Sequence, residues 1–100
     1  MKVYKVRAKV WLYPIETSAW HFVYVSERVS KEIKSLQKQR KRRGFGSVPV
    51  MVTVGKNVWK TSIFPSKEGA YLLPLKSAIR TQEGIFDGDT ISFSLRILPS

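Results

Sequence analysis

A chain of 100 residues, 43% hydrophobic and 12% aromatic, is enough for one core, which predicts a single domain over residues 1–100 and argues against disorder. It has no cysteine, which excludes disulfides, thiolate catalysis and cysteine-ligated metal. Its net charge of +11 attracts polyanions: nucleic acid, an acidic membrane surface or an acidic protein.

No apolar run reaches the roughly 18 residues that a membrane helix needs, so no membrane span is expected. The N-terminus alternates charged and apolar residues and lacks the uninterrupted apolar core of a signal peptide. The expectation is an intracellular, cytoplasmic protein, monomeric or homodimeric, without cofactor.

Residues 2–13 alternate, with Tyr4, Val6, Ala8, Val10 and Leu12 on one face and mainly Lys2, Lys5, Arg7, Lys9 and Trp11 on the other, Val3 and Tyr13 being exceptions. Period-two alternation predicts a half-buried antiparallel strand, and outward lysines would protect it as an edge. Pro14 stops it, and residues 15–19 read as loop. Trp20 to Val25 predicts a second strand. Ser26 caps a helix whose first turn holds Glu27, favourable beside the positive end of the helix dipole. Val29, Ile33 and Leu36 supply its apolar stripe, and Glu27–Lys31 and Arg28–Glu32 are spaced for ion pairs. The helix should fray near Gln39, with Gly44 ending any continuation.

Between Lys31 and Arg43, the helix and its exit carry Lys31, Lys34, Lys38, Arg40, Lys41, Arg42 and Arg43 against a single acid, Glu32. The next stretch reads as a β-hairpin, with valines alternating from Val48 to Val54 and Trp59, Thr61 and Ile63 on one face of the partner. Closing Val54 on Val58 would set Val52 opposite Lys60. Closing it on Trp59 sets Val52 against Thr61 and Val50 against Ile63, keeps the apolar face whole and places Lys56-Asn57 at the tip. The second register is the expectation. Ala70 to Leu75 predicts a strand that lies at an edge or ends at Pro74, because Pro74 donates no backbone hydrogen bond. Lys76 to Glu83 predicts a short helix stopped by Gly84, then comes a turn at residues 86–89. Thr90 to Ile97 predicts a strand with Ile91, Phe93, Leu95 and Ile97 inward.

The two halves repeat one order of events. Val25 and Leu75 each end a strand and are followed four residues later by the first large apolar residue of a helix, then a glycine-containing loop and another strand. This predicts an internal pseudo-repeat. The fold class expected is mainly β: a small closed or double-split β-barrel of about six strands with two short capping helices.

Four segments bring a family to mind in this order and spacing: Trp20-His21-Phe22-Val23; Arg43-Gly44-Phe45-Gly46-Ser47-Val48-Pro49-Val50; Trp59-Lys60-Thr61-Ser62-Ile63-Phe64-Pro65; and Tyr71-Leu72-Leu73-Pro74-Leu75-Lys76 with Arg80 and Gly88-Asp89. Together they resemble the domain of unknown function 1905 family. The resemblance implies a double-split β-barrel capped by helices and no settled activity. The stretch from Leu73 to Arg80, with Gly88-Asp89, also resembles the swapped-hairpin transcription-factor and antitoxin domains, which dimerise to bind DNA.

No catalytic constellation emerges. His21, the sole histidine, lies inside a predicted strand and reads as structural. With one histidine and no cysteine, a nitrogen-sulfur metal site lacks ligands. Asp87 and Asp89 are explained by their turn. Gly44-Phe45-Gly46 has no following Lys-Ser/Thr, so it is no phosphate loop. The expected function is therefore a non-enzymatic binding module that takes nucleic acid or another polyanion on Lys31, Lys34, Lys38, Arg40, Lys41, Arg42 and Arg43. The alternatives are a small-ligand or enzyme-accessory domain with an aromatic pocket or groove at Trp11, Trp20 and Trp59, or a protein-interaction domain.

Overall fold

Seven antiparallel strands and two helices follow the chain as β1 (Val3–Lys9), β2 (Trp11–Leu12), β3 (His21–Tyr24), α1 (Glu27–Gln39), β4 (Val48–Val54), β5 (Asn57–Pro65), β6 (Tyr71–Leu75), α2 (Ser77–Glu83) and β7 (Thr90–Ile97). The structure is a computed structural model and describes residues 2–13, 20–39 and 46–99. The loop expected at 15–19, the Gly44 helix stop and Arg40, Lys41, Arg42 and Arg43 lie outside these residues.

The sheet order is β1-β7-β4-β5-β6-β3-β2, an open half-barrel. This corrects the closed barrel of about six strands. The long N-terminal strand expected over residues 2–13 divides at Val10, whose N–H donates to Asp89 O and whose carbonyl accepts from Gly88 N. Before that point the chain pairs with β7, and after it with β3. β1 and β2 therefore stand at opposite edges of the sheet, joined covalently through Val10. β5 behaves alike, pairing with β4 from Asn57 to Ile63 and with β6 at Phe64 and Pro65.

The strand–helix–strand units stand in antiparallel pairs, β3 against β6 and β4 against β7. Their helix entries match. Ser30 N donates to Ser26 O and Ser30 Oγ to Val25 O; fifty residues on, Arg80 N donates to Lys76 O and Arg80 Nε to Leu75 O. Ser26 Oγ accepts from Val29 N at 3.4 Å, the cap anticipated for α1. α1 lies beside Lys2 and Gly69, whereas Glu83 of α2 accepts from Asn57 at the hairpin tip.

Alternation fixes the inside. Val48, Val50, Val52 and Val54 face Trp59 and Ile63, and with Val23, Leu73, Leu95, Val29 and Ile33 they fill one core. The β4–β5 register differs from expectation: Val54 pairs with Asn57, Val52 with Trp59 and Val50 with Thr61. This is a slip of two, which leaves every side chain on the face assigned to it. Turn chemistry decides between such registers. Gly55 takes a φ of 56°, as the first position of a two-residue primed turn requires, and a Cβ there would strike the Glu83 carboxylate. β6 is interior, not an edge. Tyr71 O accepts from Val25 N, so Leu72 and Pro74 point their backbone groups toward β5, whose ladder stops at Leu72. Pro74 thus occupies a position that needs no donor.

Ser30 is the buried polar residue of the core. Its Oγ accepts from Tyr71 N at 3.0 Å while donating to Val25 O at 3.1 Å. Ser30→Ala would leave that N–H and carbonyl buried without the hydroxyl; a loss of about 1–3 kcal/mol is expected in urea unfolding. Tyr4 Oη is buried with no hydrogen-bond partner among the described residues. Tyr4→Phe should therefore be neutral or stabilising in the same measurement.

Candidate functional site

The alternation that buries one set of side chains in the core leaves a second set on the outer face. Along the N-terminal segment Tyr4, Val6 and Val10 point inward, leaving Val3, Lys5, Arg7 and Lys9 exposed, followed on the same face by Trp11 and Tyr13. Residues directly opposite share a face, so the ladders extend this line into rows. On one side run Lys5–Ser94–Thr53–Val58 and Val3–Arg96–Met51–Lys60. On the other run Trp11–Phe22–Pro74 and Tyr24–Leu72–Phe64. The outer face is basic and polar over β1 and β7 and aromatic over β2 and β3. The change occurs between Lys9 and Trp11.

The aromatic side is a connected cluster. Phe22 lies 5.2 Å from Trp11, 6.1 Å from Tyr13 and 6.2 Å from Trp20, the last stacked at 13°. Trp11 and Tyr24 stack at 5.4 Å. Trp20 is 57% exposed, far beyond what packing alone requires of a tryptophan. Beside the cluster is a hollow of about 500 Å³ lined by Lys9, Trp11, Tyr24, Asp87 and Gly88. Trp11 Nε1 is buried without a hydrogen-bond partner among the described residues. Asp87 Oδ1 accepts from Leu12 N at 3.2 Å and Asp89 Oδ2 from Phe86 N at 2.8 Å, so these carboxylates hold their turn.

The basic helix is less uniform than its sequence. Lys34 Nζ donates to Gly69 O and sits 5.8 Å from the Tyr71 ring centroid, tying α1 to the β5–β6 turn. Lys31 lies 3.6 Å from Glu27, and Lys38 is exposed. Glu32 takes Lys2, not Arg28 as expected, and this hydrogen bond raises the Lys2 pKa. Arg40, Lys41, Arg42 and Arg43 lie outside the described residues. Trp11 and Trp20 meet through Phe22, while Trp59 points into the core opposite Val52, so the three do not line one groove. His21 is half-buried in β3. Among the described residues no group of three or more His, Asp or Glu is placed to hold a metal.

Sequence reasoning missed Tyr13, Phe22 and Tyr24. Their signal was available: Trp11 and Tyr13, then Trp20, Phe22 and Tyr24, place an aromatic at every second position on either side of a loop.

The family model for a domain of unknown function, DUF1905, matches residues 7–95. The chain belongs to that family. No curated protein matched it. The match spans every element of this DUF1905 domain except the first residues of β1 and the last of β7. No described helix is long and apolar enough to cross a membrane.

Lys34→Ala should lower the thermal midpoint, by about 1 kcal/mol in stability for a charged hydrogen bond and a ring contact, whereas Lys38→Ala should not. Burial pushes the Tyr71 phenol above its ordinary 10.0. The folded state then holds that proton more tightly than the unfolded chain. Its contribution is complete below pH 10 and is lost as pH rises through the folded value. Tyr71→Phe should flatten the alkaline fall in stability, measured by urea unfolding across pH 8–12.

Proposed function

We propose that this DUF1905 domain is a non-enzymatic module that binds single-stranded nucleic acid across the outer face of its N-terminal segment. The observation that carries the reading is one strand face that passes from Lys5, Arg7 and Lys9 directly to Trp11 and Tyr13. Alternate residues on a strand stand about 7 Å apart, so the row of three cations can track the phosphates of an extended backbone. Bases of the same strand then stack on Trp11, Trp20 and Tyr24. Such stacking contributes about 1–3 kcal/mol per base and tolerates any sequence because every base has a π-face. Lys31, Lys38 and the run Arg40, Lys41, Arg42 and Arg43 add long-range attraction, which steers the polymer without fixing its register. A net charge of +11 supports the same partner class. The small-ligand alternative draws on the hollow beside Trp11 and Tyr24, where a lone nucleoside would bind without salt dependence.

Titration of tryptophan fluorescence with a single-stranded oligonucleotide tests the reading. Binding should quench the signal, with log K falling by roughly 0.7 per phosphate contact for each unit of log salt. Trp20→Ala should weaken binding about 5- to 150-fold, the equivalent of one stacked base. Changing Arg40, Lys41, Arg42 and Arg43 together to Ser should reduce the salt slope and leave the quench in place. Absence of binding at low salt, or equal binding by Trp20→Ala, would overturn the proposal.

A further inference from the structure

The basic half of the outer face contains a hollow of about 410 Å³ lined by Lys5, Arg7, Thr53, Gly55, Ser92 and Ser94. Its origin is side-chain length. Ser94 lies between Lys5 and Thr53 in one row, and Ser92 lies opposite Arg7 in the next. Two short side chains on β7 therefore sit beside two long cations on β1, and glycine at the hairpin tip leaves one end open. Serine has little packing reason to occupy an interior strand where valine or threonine fits the pleated surface better.

Val6 and Phe93 also line the hollow, and its polar groups are matched to an anion. Lysine and arginine offer only donors, and the three hydroxyls each offer one O–H. No carboxylate is among the lining residues. The Glu83 carboxylate packs against Gly55 at one end, held by Asn57 Nδ2 at 2.6 Å. That carboxylate repels an anion at the Gly55 end, so a bound anion is favoured toward Lys5 and Arg7.

We propose that this hollow seats a single phosphate group, with Lys5 and Arg7 neutralising it and Ser92, Ser94 and Thr53 hydrogen-bonding its oxygens. The source assigned is a phosphodiester of a bound single strand, and in that respect the inference rests on the function proposed above. A smaller hollow of about 180 Å³ shares Thr53 and Ser94 and is lined by Val3, Met51, Val58 and Arg96. It offers the adjoining sugar or base an apolar rest. The hydroxyls make the seat differ from a diffuse basic surface: removing them changes no charge.

The experiment uses the full chain, with inorganic phosphate and a single-stranded oligonucleotide as separate probes. Amide shifts are followed by NMR for phosphate, and affinity by fluorescence anisotropy for the oligonucleotide. The seat predicts saturable phosphate shifts at Lys5, Arg7, Thr53, Ser92 and Ser94. It also predicts about a tenfold loss of oligonucleotide affinity in the Ser92→Ala, Ser94→Ala double variant with the salt slope unchanged. Lys5→Gln with Arg7→Gln should lose affinity and slope together. If the oligonucleotide binds the parent and the serine variant equally, the seat is overturned and the proposed function stands. Phosphate binding that depends on the serines, without oligonucleotide binding, keeps the seat and overturns the proposed function. Absence of both overturns both. Circular dichroism of each variant, and Thr53→Val as an independent hydroxyl deletion, separate lost binding from lost fold.

Discussion

One hydroxyl joins the three parts of the first strand–helix–strand unit. β3 and β6 run out of ladder at Val25 and Tyr71, where the chain must leave the sheet and start α1. The next rung would bring Tyr71 N to Val25 O. Ser30 Oγ is inserted there, accepting from one and donating to the other. A helix residue thus completes a sheet rung, and the position of α1 over the core follows from it. Val29 and Ile33 on either side of Ser30 bury fully, so the polar atom is fixed amid apolar packing. A buried hydroxyl with both bonds made adds specificity, because any shift of α1 along the barrel would leave three polar groups unsatisfied. The second unit solves the same problem at Leu75 with Arg80, whose long side chain reaches the carbonyl from a half-buried position.

The core draws on both halves of the sheet. What distinguishes this chain is the outward half of each alternation. The same period that buries Val6 and Val10 exposes Arg7 and Lys9, and the same rungs that pair Val23 with Leu73 line up Trp11, Phe22 and Pro74 outside. Core and candidate surface are therefore two readings of one register.

Much of the fold was legible because periodicity is strong. Thr90–Ile97 and Val48–Val54 alternate without a fault, and the Ser26 cap and the Gly84 stop use residues with a direct geometric reason to be there. What the sequence could not deliver was choice among equivalents. Registers that differ by two keep the same faces, so Val54 on Trp59 and Val54 on Asn57 look alike until Gly55 meets Glu83. Pro74 suggested an edge because a missing donor says only that one side is unpaired, not which strand stands there. Lys34 looked like one of seven crowded cations, since the sequence does not reveal that Gly69 lies within reach. Within the candidate site, charge drew attention to α1, while the aromatic alternation around residues 11–13 and 20–24 was split by a loop and so passed as two unrelated strands.

The division at Val10 carries a consequence for how the molecule is built in time. Val3 pairs with Arg96, so β1 has no partner until nearly the whole described chain has been made. Contacts of such sequence separation are entropically slow to close. Until they do, β7 lacks its outer neighbour, whereas β2 can pair early with β3, because Trp11 and Phe22 are close in sequence. During that interval Lys5, Arg7 and Lys9 keep the waiting strand hydrated and self-repelling. Charges on the exposed face of an edge strand also disfavour its pairing with a second copy of the chain.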